Sequence, residues 1–268
     1  MEFLKVARRR SLWSEVLYIL LNLLLVAAVL VSVWAVKSPA FPIALVLLSK
    51  WRILAVRPRY WFAHILSNAV DLIVSIGLVV LLYAASGAWI AQVIIALLYA
   101  LWLLLLKPRS KRSLVIAQAG VGLFVGVTSI AIVSADWYLS LVVLIFWVIG
   151  YSTARHVLLA YDEQAHVSFL SLLWAFVVAE IGWLTYHWTI AYDLPGIGSI
   201  QLPQVSIILL LLSFLAERIY GTYVRRGQVR YSDVLLPLLL SISIILVIYL
   251  QFNCPPQGTL EECRGLFY

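Results

Sequence analysis

Apolar residues run through this chain in long unbroken stretches, not in the alternating or one-face patterns of soluble strands and helices. Nine stretches stand out, at 13–36, 39–57, 60–84, 88–106, 113–135, 138–156, 167–189, 203–221 and 233–252. A bilayer core of about 30 Å takes ~20 apolar residues as a helix, and a helix satisfies every backbone N–H and C=O without water. The pattern predicts an all-α integral membrane protein, a polytopic bundle of about nine transmembrane helices. Residues 1–252 form its single domain and 253–268 a short tail. The second stretch is the weakest, because Lys50 and Arg52 lie in its last third; both are expected to snorkel to the headgroups.

Composition agrees. Of 268 residues, 64% are hydrophobic and 12% charged, with a mean hydropathy of +1.03. A soluble domain is nearer half apolar and a quarter charged, so a soluble enzyme, a nucleic-acid module and a disordered chain are excluded. The net charge of +7 is informative only through its placement.

With the N-terminus inside, four basic groups gather on the cytoplasmic side. They are Lys5, Arg8, Arg9 and Arg10; Lys50, Arg52, Arg57 and Arg59; Lys107, Arg109, Lys111 and Arg112; and Arg218, Arg225, Arg226 and Arg230. Arg155 joins them, leaving only Lys37 and Arg264 outside, a split of 17 to 2. Positive charge is retained on the cytoplasmic face, so this split orients the chain in a plasma or bacterial inner membrane, N-terminus cytoplasmic and C-terminus extracytoplasmic. Short juxtamembrane clusters also fit contacts with anionic lipid headgroups rather than with nucleic acid. Arg8, Arg9 and Arg10 resemble the start of a signal peptide, but the apolar run after them is too long, and the first helix is expected to stay.

Both cysteines, Cys254 and Cys263, fall in the tail, where an oxidising compartment permits a disulfide. The loop holding Tyr192, Asp193, Pro195, Gly196 and Gly198 reads as an ordered outer turn. An offset of 50 residues aligns Arg57-Pro58-Arg59 with Lys107-Pro108-Arg109 and Asn68 with Gln118, which raises a parallel repeat for testing.

Polar residues inside a membrane are costly and point to function. His64, Asn68 and Asp71 are spaced i, i+4 and i+7, which sets them on one face of the third helix. The seventh carries Glu180, with His187 on the same face; the first offers Asn22 and the fifth Gln118. No deeply placed Lys or Arg is apparent to pair with either carboxylate. Asp71, Glu180, His64, Asn68 and Gln118 therefore form a candidate proton or cation relay, against a structural role in hydrogen bonds between helices. A second candidate is interfacial: His156, Asp162, Glu163 and His166 in the densest polar segment. Glu163 and His166 make one Glu-x-x-His pair, but a di-iron bundle needs a second. Trp13, Trp61, Trp89, Trp137, Trp183 and Trp188 fall near the ends of the apolar stretches, as an aromatic belt does.

No metal-protease, phosphate-loop, nucleophile-elbow or paired-cysteine motif appears, so no metal and no cofactor is expected and enzyme activity is disfavoured. The polar residues favour a small transporter or channel subunit for a small solute, ion or lipid. The alternative is a non-catalytic membrane subunit or scaffold, with a protein partner or a second copy of the chain. A membrane-embedded lipid-modifying enzyme is third.

Overall fold

Long apolar runs with few helix breakers form helices wherever they are described. The computed structural model describes residues 12–36, 38–51, 55, 57–161, 166–187, 190–193, 201–229 and 231–253. Its helices are α1 (Leu12–Ala35), α2 (Ala40–Ser49), α3 (Trp61–Ser67), α4 (Ala69–Ala84), α5 (Trp89–Leu101), α6 (Arg112–Val133), α7 (Leu139–Leu158), α8 (Val167–His187), α9 (Gln204–Arg226) and α10 (Tyr231–Asn253). A 3₁₀ turn (Pro58–Tyr60) leads into α3, and a π-helical turn (Trp102–Leu106) extends α5. Between α8 and α9 stands a small antiparallel hairpin, β1 (Ala191–Asp193) with β2 (Gln201–Pro203), in which Tyr192 pairs with Leu202.

Six described helices are long and apolar enough to cross a membrane, or seven if the pair α3 and α4 is one span. The chain is thus a predominantly helical, multi-pass integral membrane protein. Two predicted spans differ from straight helices. In the second, α2 stops after ten residues, where Lys50 takes a non-helical conformation. The third breaks at Asn68, and α3 meets α4 at 63°. Asn68 competes with its own helix there, its amide donating to the His64 carbonyl (2.9 Å) and to Ser67 Oγ (3.2 Å). The face expected to join His64, Asn68 and Asp71 therefore does not exist, and His64 lies exposed on α3. Gln118, the counterpart of Asn68 in the suspected repeat, lies inside an unbroken α6.

Two apolar cores build the bundle. One joins α1, α2, α4 and α5 through Val29, Val46, Val74, Leu82 and Tyr99; the other joins α6 to α9 through Leu123, Phe146, Val178 and Leu209. Small residues bring the halves together. A Cβ on Gly122 would lie 2.9 Å from Val70 of α4, and one on Gly126 2.6 Å from Ile73. Close approach of this kind is how helices associate where solvent supplies no hydrophobic drive.

The bundle has two distinct ends. At the hairpin end, Tyr83 Oη donates towards the carbonyls of Val36 and Ser38 (2.6 and 2.7 Å), and Tyr186 Oη donates to the Trp137 carbonyl (2.6 Å). A cavity of about 490 Å³ opens beneath the strands, between Ala84, Ser134, Thr185, Gln201 and Gln204. At the opposite, basic end gather the end of α5 and the starts of α4 and α6, with Lys107, Arg109, Lys111 and Arg112.

Candidate functional site

Asp71 sits in the first turn of α4, just past the bend, where a helix N-terminus favours a negative charge. Lys50 directly follows α2, where a helix C-terminus favours a positive one. The two helix ends meet. Lys50 Nζ donates to Asp71 Oδ2 in an ion pair, and Lys107 Nζ reaches the same oxygen at 2.9 Å. Trp102 Nε1 of the π-helical turn donates to the other oxygen at 3.0 Å. Lys50 is sealed at 6% exposure and Asp71 at 12%, whereas Lys107 keeps 37%.

A common tether sets the register of this pair. Tyr83 of α4 holds Ser38 ahead of α2, and each charge lies twelve residues from its end of that tether (Ser38 to Lys50, Asp71 to Tyr83). At 1.5 Å rise per residue, both stand about 18 Å from the hairpin end. Ser75, one turn above Asp71, donates to the Asp71 carbonyl (2.7 Å). The buried Tyr99 hydroxyl faces Ser75 and Asp71 without a hydrogen bond of good geometry. Tyr18 of α1 ties the π-helical turn in place by donating to the Leu103 carbonyl (3.0 Å).

This arrangement corrects two sequence expectations. Asp71 has lysine partners, and Lys50 does not snorkel away. Both errors share a cause: Lys50 and Lys107 read as boundary charges, and only the short α2 and the chain path turn them onto α4. Trp102 was missed as well, because ten other tryptophans surround it in the sequence and nothing there marks it as buried.

Two further polar nodes lie at the basic end. Gln118 Nε2 donates to the carbonyls of Leu106 (2.6 Å) and Arg109 (3.0 Å), and its Oε1 faces His156 Nε2 at 2.9 Å. Gln118 and His156, assigned to separate candidate sites from the sequence, thus belong to one brace between α6, α7 and the loop after α5. The third node was not foreseen. Arg112 lies over the Tyr161 ring at 3.5 Å, Tyr161 Oη donates to Glu217 Oε1 at 2.8 Å, and Arg112 Nη2 stands 3.8 Å from that oxygen. Gly221 leaves room for it, since a Cβ there would lie 2.8 Å from Tyr161 Oη. Desolvation, reinforced by the Glu217 carboxylate, pushes the Tyr161 hydroxyl up to about 12. A single glutamate near the end of an apolar stretch gives little signal in sequence.

The remaining candidates stand apart. α8 packs on α7 and α9, while Asp71 lies among α2, α4 and α5, so Glu180 and Asp71 form no common site. Glu180 is exposed on α8, beside an open groove. His166 is exposed with φ of 61°; Asp162 and Glu163 of the interfacial candidate, and both cysteines of the expected disulfide, Cys254 and Cys263, lie outside the described residues. Asn22 bonds within its own helix, to the Tyr18 carbonyl (2.7 Å). Among the described residues, no group of three His, Cys, Asp or Glu side chains is arranged to hold a metal ion.

Comparison with protein-family models, with curated proteins and with solved structures yields no match, so the geometry alone carries the functional reading.

Proposed function

We propose that this chain is a small multi-pass carrier that moves a small anion together with a proton, with Lys50, Asp71 and Lys107 as its charge switch. The observation that carries the reading is two ammonium groups converging on one carboxylate between two helix ends inside an apolar bundle. Interrupted helices whose ends face each other are a recurring way to build an ion site at membrane depth. Here Asp71 stands in for an anion. The empty site holds two positive charges and one negative. An incoming monovalent anion takes the place of the carboxylate on the lysines while Asp71 accepts a proton. The site then holds the same net charge, so neither state adds uncompensated charge to the low-dielectric interior. Lys107, still partly exposed, is the group an anion meets first, and Lys50 is the one it reaches by displacing Asp71.

In this reading the chain crosses the membrane nine times, the second crossing being α2 and the residues after it. The basic end is cytoplasmic, following the 17 to 2 split of Lys and Arg. About 18 Å from the hairpin end of a ~30 Å core, the pair lies in the cytoplasmic half.

Proteoliposomes loaded with a pH-sensitive dye test the reading. An inward gradient of chloride, nitrate or dihydrogen phosphate is expected to acidify the lumen faster than in protein-free vesicles. Lys50→Met with Asp71→Asn removes both buried charges together and keeps the fold, because replacing a whole buried ion pair is often near neutral for stability. That double variant is expected to abolish the acidification. Wild-type protein that moves protons with none of the three anions overturns the proposal, and so does a folded double variant with undiminished flux.

A further inference from the structure

Glu180 is a carboxylate on an apolar wall, and its surroundings are specific. It lies thirteen residues into α8 and seven short of its end at His187, about 20 and 10 Å along the axis. Among the described residues no ion pair or hydrogen bond engages it, and its side chain is exposed. Phe176 and Trp183 are spaced four before and three after it, which places all three on one face of α8. Across a groove of about 790 Å³ stand Leu144 and Trp147 of α7.

The walls are held in place. Trp147 stacks on Tyr151 with centroids 5.5 Å apart, and Trp183 sets its ring edge-on to His187 at 5.2 Å. Below them α7 and α8 are locked by close approach: a Cβ on Gly182 would lie 2.5 Å from the Phe146 ring, and one on Gly150 2.8 Å from Val178 Cβ. The groove is therefore a fixed, concave surface with three aromatic rings around one negative charge.

We infer that the Glu180 groove is a binding site for a hydrophobic organic cation, a quaternary ammonium or phosphonium whose charge sits on Glu180 between the rings of Phe176, Trp183 and Trp147. Charge and shape select this occupant together. A lone carboxylate on an apolar helix flank is costly and calls for a cation. An inorganic cation would keep its water and gain nothing from the rings, whereas an organic cation buries apolar surface and is attracted to aromatic faces. The ordering of the rings by Tyr151 and His187 reduces the loss of freedom on binding. The inference stands apart from the anion reading, which concerns residues of α2, α4 and α5.

The test uses the full chain in lipid nanodiscs and equilibrium dialysis of radiolabelled tetraphenylphosphonium, with empty nanodiscs subtracted. Tetraphenylborate, of the same shape and opposite charge, is the control. Saturable binding of the cation is expected, with tetraphenylborate failing to displace it. Glu180→Gln is expected to weaken binding at least tenfold, and Trp183→Ala to weaken it as well; both positions are exposed, so folding is preserved. Lys50→Met with Asp71→Asn is expected to bind the cation as wild type does, which separates this site from the anion site. Equal binding of cation and anion, or undiminished binding to Glu180→Gln, overturns the inference. So does a disulfide between two copies of a Glu180→Cys, Cys254→Ser, Cys263→Ser variant, since that places a second chain in the groove.

Discussion

Asp71→Ala leaves the buried Lys50 beside Lys107 without their shared carboxylate, while Lys50→Ala leaves Asp71 with Lys107 and Trp102. Removing one member of a buried pair costs about 3–5 kcal/mol, much of it the unpaired charge left behind. The two substitutions are therefore unequal. Thermal unfolding in detergent should show Asp71→Ala as the more damaging, with Lys50→Met partly rescuing it. Equal losses and no rescue would mean that the ammonium of Lys50 finds other company. Tyr161 gives a second check at this scale. Its hydroxyl titrates near 12 in the folded chain instead of near 10, so the stability it contributes is complete below pH 10 and is lost as pH rises towards 12. Tyr161→Phe should flatten that part of the alkaline melting profile. A wild-type profile that falls no more steeply than the variant's would separate Tyr161 from Glu217.

Between elements, the α7 and α8 contact depends on what glycine lacks. Gly150→Ala pushes a methyl group against Val178 Cβ and within 3.1 Å of the Ala175 Cα, a backbone atom that cannot turn aside. Gly182→Ala meets the Phe146 ring, which can turn only by disturbing the second core. Overpacking of this kind costs about 1–3 kcal/mol, so each variant should melt earlier than the wild type. Unchanged melting in both would show that the helices part without loss. Helix identity was legible in the sequence because an apolar run of ~20 residues has few other outcomes in a membrane. The bend was not. Asn68 shows no glycine or proline signature; it breaks the helix by bonding back to His64, which periodicity cannot register. The same lapse put His64 and Asp71 on one face. Half of the Asp71 site was legible, the carboxylate itself, since an acid in an apolar run is conspicuous. Its lysines were hidden by their resemblance to orientation signals.

For the molecule as a whole, sidedness is the simplest property to check. Ser86 and Ser110 are exposed at opposite ends of the bundle, between α4 and α5 and between α5 and α6. In a chain whose two tail cysteines are replaced by serine, Ser86→Cys should react with a membrane-impermeant maleimide on intact cells. Ser110→Cys should react only after permeabilisation. The reverse pattern would invert the molecule and place the partly exposed Lys107 outside. The division into two cores also has an outcome at this scale, because the proposed anion and cation sites belong to different halves. Ligand at one should leave affinity at the other unchanged unless the Gly122 and Gly126 seam slides.

The brevity of α2 bears on how the chain enters the bilayer during synthesis. A ten-residue apolar helix followed directly by a lysine is too short to partition as an independent span, and a lysine carried to membrane depth would add about 2.5–3.5 kcal/mol against insertion. The charge that neutralises it is Asp71, made 21 residues later. At about 5–20 residues per second, that delay is roughly one to four seconds. Nascent chains cut between Lys50 and Asp71 should therefore leave α2 outside the lipid, and those extended through α4 should bring both helices in as one unit.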